Sequence, residues 1–158
     1  MSATMEKEIV GSARARAGKY LTFKLGSEEF GLEILKVQEI IQMQSITRVP
    51  RTPEFVRGVI NLRGKVIPVV DLRLKFGMES TEDTERTCIV VVQIRNATSV
   101  VVMGTIIDEV REVLDIPEAS IEDTPSFGTS IDTEFILGMG KIGQNVKILL
   151  DIDKVLSA

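Results

Sequence analysis

The sequence contains two copies of one pattern. Residues 31–41 can be laid on residues 104–114 with Gly31 on Gly104 and Glu39 on Glu112. Apolar residues then match at Ile34/Ile107, Val37/Val110, Ile40/Val113 and Ile41/Leu114. At a longer offset, Phe55, Gly58, Leu62, Val66, Val69, Asp71 and Leu72 meet Phe135, Gly138, Ile142, Val146, Leu149, Asp151 and Ile152. The extra residues of the second copy fit within 116–133, where Pro117, Pro125 and Gly128 mark an irregular connection. Chance would account for the apolar matches, but glycine, glutamate and aspartate in register point to duplication. Each half has about 60–70 residues, a size at which a lone core is marginal. The halves are therefore expected to pack on each other through apolar surface and to leave a groove between them.

The volume for that packing comes from aliphatic side chains, because aromatics are 4% of the chain and Trp is absent. Such a bias favours strands. A hairpin is expected over residues 20–32 with its turn at Gly26, followed over 34–41 by a helical turn running into a strand. Pro50 and Pro53 hold the chain extended before a short helical turn at 54–56. Strands at 59–63 and 66–70 meet at a turn placed on Gly64 and Lys65, and Pro68, which cannot donate to a ladder, belongs at an edge or bulge. Asp71 caps a short helix over 72–76 that Gly77 closes. Residues 78–86 read as an exposed linker before strands at 88–94 and 100–107. Residues 1–18 show no apolar period and read as a flexible arm. The domain proper is 19–158, in halves near 19–86 and 87–158, with exchange of strands or helices between them. The fold class is mainly β, as two barrels of short strands each ending in a capped helix.

Few catalytic chemistries remain open to this composition. With no His there is no Ser-His or Cys-His nucleophile and no His-ligated metal. A single Cys removes disulfide frameworks and cysteine-rich zinc sites. The net charge of −4 argues against sequence-independent nucleic-acid binding. Asp71 and Asp151 invite comparison with a carboxylate dyad drawn from two related halves, but Leu72-Arg73 and Ile152-Asp153 follow them, and helix capping explains both. The acidic run around Asp108, Glu109, Glu112 and Asp115 lacks the spacing of a calcium loop. Gly138, Gly140 and Gly143 match a dinucleotide fingerprint, yet a strand is expected after them where a helix is required. A surface argument is left: Asn61-Leu62-Arg63-Gly64 presents a guanidinium from a rigid strand end, and Glu39 is placed to form a forked pair with Arg63.

The residues that carry these features also resemble a family. Phe30-Gly31-Leu32-Glu33-Ile34-Leu35-Lys36-Val37-Gln38-Glu39-Ile40-Ile41, Thr47-Arg48-Val49-Pro50, Gly58-Val59-Ile60-Asn61-Leu62-Arg63-Gly64 and Pro68-Val69-Val70-Asp71-Leu72-Arg73 look like CheW, the bacterial chemotaxis coupling proteins. The likeness runs from about Lys19 to Leu156. It implies two intertwined SH3-like five-stranded β-barrel subdomains and a cytoplasmic, non-enzymatic adaptor without cofactor or metal, monomeric when isolated. It implies two partners: the cytoplasmic tip of methyl-accepting chemoreceptors and the regulatory domain of a CheA-type histidine kinase, within arrays beneath the membrane. By resemblance the receptor hairpin docks near Val37, Glu39, Ile40, Arg63 and Ile89, and the kinase contacts Phe127. Some relatives carry a basic residue where this chain has Glu122, which bears on the contact around Phe127. The competing readings are a hydrolase built on Asp71 and Asp151, or a fragment of CheA or of the receiver fusion CheV. The end of the chain just after the last capped helix favours a free-standing adaptor.

Overall fold

The computed structural model describes residues 16–79, 82–125 and 134–157. Its strands are β1 (Gly18–Leu25), β2 (Glu28–Glu33), β3 (Val37–Gln42), β4 (Val56–Leu62), β5 (Lys65–Asp71), β6 (Cys88–Asn96), β7 (Ser99–Ile107), β8 (Glu109–Ile116), the two-residue β9 (Ile121–Glu122), β10 (Ile136–Ile142) and β11 (Asn145–Leu150). A 3-10 turn, Ile34–Lys36, leads into β3, and short helices Leu72–Lys75 and Ile152–Ser157 follow β5 and β11. The strands form two sheets, ordered β3-β6-β7-β5-β4 and β8-β1-β2-β11-β10-β9. The result is mainly β, two SH3-like subdomains.

The duplication is visible in the pairing. Val69 of β5 lies parallel to Gly104 of β7, and Leu149 of β11 lies parallel to Gly31 of β2, so the same two positions meet in each copy. Both junctions are tightly packed around a glycine. A Cβ at Gly31 would sit 2.9 Å from Leu149 Cδ2, and one at Gly104 would sit 2.8 Å from Ile89 Cγ2. Bulges recur as well, between Val56 and Gly58 and between Ile136 and Gly138. Asp71 N donates to Phe55 O at 2.7 Å, and Asp151 N to Phe135 O at 2.8 Å.

Sheet membership crosses the copies. β1 and β2, from the first copy, complete the sheet of β8, β10 and β11; β6 and β7, from the second, complete the sheet of β3, β4 and β5. A boundary between residues 86 and 87 therefore separates the copies but not the sheets. The strands of one sheet lie within residues 37–107, and those of the other within 18–33 and 109–150. The physical reason is the marginal core of each copy: a single apolar cluster draws Leu21, Phe23, Leu25, Phe30 and Leu32 from one sheet and Val90, Val92, Ile94 and Ile107 from the other.

Local departures from expectation have local causes. Leu62 pairs with Lys65, so the β4–β5 loop is Arg63-Gly64, one residue earlier than expected. Both loop residues have positive φ, 50° and 88°, as a two-residue hairpin requires. The expected helical turn at 54–56 is a single hydrogen-bonded turn, Val56 N donating to Pro53 O at 3.0 Å, and it goes no further because Val56 already belongs to β4. Pro68 is tolerated in the inner strand β5 because parallel pairing with β7 starts only at Val69. Residues 16–18, expected within the arm, are tied to the rest of the fold. Gly18 opens β1, Tyr20 OH donates to Arg16 O, and Arg16 Nη1 reaches Asp123 Oδ1 at 2.7 Å.

Candidate protein-docking site

β3 is an edge strand, so one flank is unpaired within its sheet. A bulge falls between Val37 and Glu39: Val37 opposes Val92, Glu39 opposes Val91, and Ile40 opposes Val90. Side chains directly opposite share a face of the sheet. The bulge thus brings Val37 and Ile40 to the face of Val90 and Val92, the face of the core shared by both sheets, and puts Glu39 on the reverse. Val37 is half-buried against that core, whereas Ile40 is 46% exposed at its margin. The sequence pattern, helical spacing followed by imperfect alternation, is this combination of a 3-10 turn and a bulged strand.

Glu39 is held by the β4–β5 loop. Arg63 Nη1 donates to Glu39 Oε1 at 3.0 Å and Nη2 donates to Oε2, a forked pair. Hydrogen bonding from Arg63 lowers the Glu39 carboxyl below its ordinary value, and the carboxylate in turn raises the guanidinium. The loop itself is fixed by Gly64 N, which donates to Asn61 Oδ1 at 2.8 Å. The expected residues therefore come together at one edge with one exception. Ile89 is fully buried, opposite Ile41 and against Gly104. It stands behind the surface, in the core of the first sheet. Phe127 lies outside the described residues. Glu122, in β9, pairs with Lys141 Nζ at 2.8 Å.

The second copy supplies an internal comparison. Val110 and Val113 oppose Phe23 and Leu21 on the same shared-core face, so β8 repeats the apolar edge of β3. The position matching Arg63 is Gly143, and no fork is possible there. The apolar edge is thus a property of the fold, and the fork belongs to the first copy.

Residues outside the expected set form a polar clasp between the sheets. Asp71 and Arg73 are buried, and Arg73 donates through Nε to Asp71 Oδ1 at 3.0 Å and through Nη2 to Oδ2 at 2.9 Å. Arg57 Nη1 also reaches Asp71 Oδ2 at 3.1 Å. Arg73 Nη1 continues to Asp108 Oδ1 at 2.8 Å, and Asp108 Oδ2 accepts from Gly26 N at 2.6 Å in the β1–β2 turn. Hydrogen bonding to Asp71, ahead of burial, determines the balance at Arg73 and raises its guanidinium further. The second copy has a counterpart of reversed polarity. Asp153 Oδ2 takes Lys36 Nζ at 2.6 Å, and Asp153 Oδ1 accepts from Arg95 N at 2.7 Å in the β6 hairpin. Both Asp71 oxygens are occupied by guanidinium groups, and Asp151 Oδ1 accepts from Lys154 N at 3.3 Å as a helix cap. These are structural roles and leave the dyad no support. A cleft of about 820 Å3 beside Met43, Ile46, Arg48 and Arg57 includes none of the expected site residues. Among the described residues no helix is long and apolar enough to cross a membrane.

Comparison with known proteins agrees with this architecture. The family described as "CheW-like domain" matches residues 19–158. The chain belongs to the CheW family. It is 39% identical over 140 residues to the chemotaxis protein CheW of Klebsiella aerogenes, covering 89% of this chain and 82% of that one. With the CheW of Helicobacter pylori it shares 33% identity over 138 residues, 87% of this chain and 81% of the relative. The crystal structure of the scaffolding protein CheW from Thermoanaerobacter tengcongensis superposes with a TM-score of 0.79 at 38% identity, covering 90% of this chain and 94% of that chain. The chain therefore has the role of a chemotaxis adaptor, a CheW scaffold.

Proposed function

We propose that this CheW-family chain joins the cytoplasmic tips of chemoreceptors to a CheA-type histidine kinase, as a cytoplasmic adaptor without enzymatic activity of its own. The observation that carries the receptor assignment is the β3 edge, where half-buried Val37 and exposed Ile40 border the shared core beside the Glu39–Arg63 fork. A receptor tip is a helical hairpin, and a helix docks by laying apolar side chains along such an edge. The fork supplies orientation through a pre-organised charge pair. The absence of that fork on β8, whose apolar edge is otherwise equivalent, is what favours β3 over its pseudo-symmetric twin. Kinase contact is assigned away from this edge, near the exposed Glu122, with Phe127 as the candidate from sequence outside the described residues, so that both partners can be held at once. Each contact on so small a protein is modest, and simultaneous engagement in an array raises the effective concentration of both.

The test is a pair of titrations on the whole chain, one with a helical-hairpin receptor-tip fragment and one with the isolated kinase regulatory domain. Binding of both is expected. Arg63→Ala should weaken the receptor fragment about tenfold and leave the kinase domain unchanged. No binding of either partner at any practical concentration would overturn the adaptor reading for these two partners.

A further inference from the structure

The two copies differ where their edge strands begin. Leu35 corresponds to Asp108, and Lys36 to Glu109. In the second copy both positions are used inside the molecule. Asp108 joins Gly26 N to Arg73, and Glu109 pairs with Arg86 at 3.4 Å and Arg111 at 3.5 Å. In the first copy Lys36 is used likewise, against Asp153, but Leu35 is not. It is 94% exposed, well beyond the 71% of Val66. Its neighbours are fixed on both sides: Ile34 packs against the shared core, and Lys36 Nζ is held at 2.6 Å by a carboxylate that also accepts from Arg95 N. The 3-10 turn therefore presents a leucine to water from a pinned backbone.

Single exposed apolar residues are ordinary, so exposure alone assigns nothing. Two further observations do. The fold accepts a charged side chain at this slot, as Asp108 shows, so leucine is not required here for packing. Leu35 also lies two residues before Val37, at the head of the edge strand that carries Ile40 and the Glu39–Arg63 fork. Among the other exposed apolar residues, Val66 and Val146 match each other across the copies, as do Ile40 and Val113, whereas Val49 and Val100 are unmatched. Leu35 is also unmatched and is the most exposed of these three. It sits on the same copy as the fork, at the head of the strand that carries it.

We infer that Leu35 is an anchor for the receptor-tip helix, lengthening the β3 surface by one apolar contact that the Lys36–Asp153 pair holds in place. The inference rests on the adaptor reading and deepens it by naming a contact residue. Docking would remove most of the exposed leucine surface from water, which sets the expected size of the effect. The test titrates the receptor-tip helical hairpin, and in parallel the kinase regulatory domain, against the whole unsubstituted chain, Leu35→Asp and Leu35→Ala. Leu35→Asp should weaken receptor binding about tenfold or more and Leu35→Ala about fivefold. Kinase affinity should not change, and both thermal midpoints should stay within about 2 °C of the unsubstituted chain. Unchanged receptor affinity in both folded variants overturns the assignment of Leu35 while leaving the adaptor reading intact. Loss of kinase binding in place of receptor binding also overturns it, by putting Leu35 on the other face. Failure of the unsubstituted chain to bind the receptor fragment removes the adaptor reading and this inference with it.

Discussion

Arg63 adopts a backbone conformation that the second copy gives to glycine. Its φ is 50°, against 61° at Gly143, and a side chain there is strained. The chain accepts that strain where the guanidinium reaches Glu39. Arg63→Gly should therefore hold or raise the thermal midpoint, by up to about 3 °C, while weakening receptor binding as much as Arg63→Ala does. A calorimetric melt beside a receptor titration separates the two effects. The depressed Glu39 carboxyl gives the fork a pH window: its contribution is present above the ordinary carboxylate range and is lost as pH falls through the lowered folded value. Tyr20 behaves in the opposite sense. Burial first, then the nearby Glu33 charge, push its phenol up to about 12 from 10.0, against the lowering influence of Arg16. The fold keeps a proton that the unfolded chain has lost, so this stability is complete below about pH 10 and disappears as pH rises through about 12. Tyr20 is the only tyrosine and Trp is absent, so a near-ultraviolet titration reads it directly. A midpoint near 12 is expected for the folded chain, and one near 10 would show the phenol to be solvated. The Asn61-Leu62-Arg63-Gly64 motif made Arg63 legible as a presented guanidinium, but not its conformation. That depends on Leu62 closing the hairpin with Lys65, a register that a Gly-Lys pair in sequence does not reveal.

Local elements follow from local patterns here, and their partners do not. Apolar alternation with turn glycines at Gly26, Gly64 and Gly77 is enough to place β1, β2, β4, β5 and the first helix to within a few residues. The exchange of hairpins is decided elsewhere. The parallel contacts β5–β7 and β2–β11 join segments far apart in sequence, and the apolar pattern would equally suit a hairpin packed on its own copy. The clasps help to distinguish the alternatives, because their polarities are reversed. In one, a carboxylate at the β7–β8 junction meets an arginine on the first helix; in the other, a lysine before β3 meets a carboxylate on the second helix. A hairpin seated on the wrong copy would lose its matched partner. The two clasps should also differ in strength, because Arg73 is 1% exposed whereas Lys36 and Asp153 are 29% and 27% exposed. Arg73→Met leaves the buried Asp71 without its main partner and should cost about 3–5 kcal/mol. Asp153→Ala removes a half-exposed acceptor and should cost about 1 kcal/mol. Urea unfolding of both variants measures the difference, and equal losses would contradict the assigned burial. Neither clasp is prominent in sequence, since Asp71-Leu72-Arg73 reads first as a helix cap and Asp108 as one acid in a run.

At the scale of the molecule, duplication provides one apolar edge twice, on β3 and β8, and the Glu39–Arg63 fork stands on the first alone. The family was legible because its motifs crowd into residues 30–73, where the first copy carries both the fold's glycines and the fork. The docking surface was only partly legible. Ile89 alternates correctly with Val90 along β6 but points into the core of the first sheet, and strand periodicity cannot say which of two buried faces lies next to a partner. Leu35 was obscured by its own motif, in which three apolar residues of four look equally like core. The central claim is that one edge of the molecule receives the receptor while the kinase is held elsewhere. Its most direct test is the ratio of receptor to kinase affinity in Val37→Glu, measured on protein with a native melt. A carboxylate at this half-buried position must stay wet or be buried unpaired, and either opposes a docked helix. Receptor affinity is predicted to fall about tenfold or more with kinase affinity unchanged; an equal loss of both partners, or undiminished receptor binding, would contradict it.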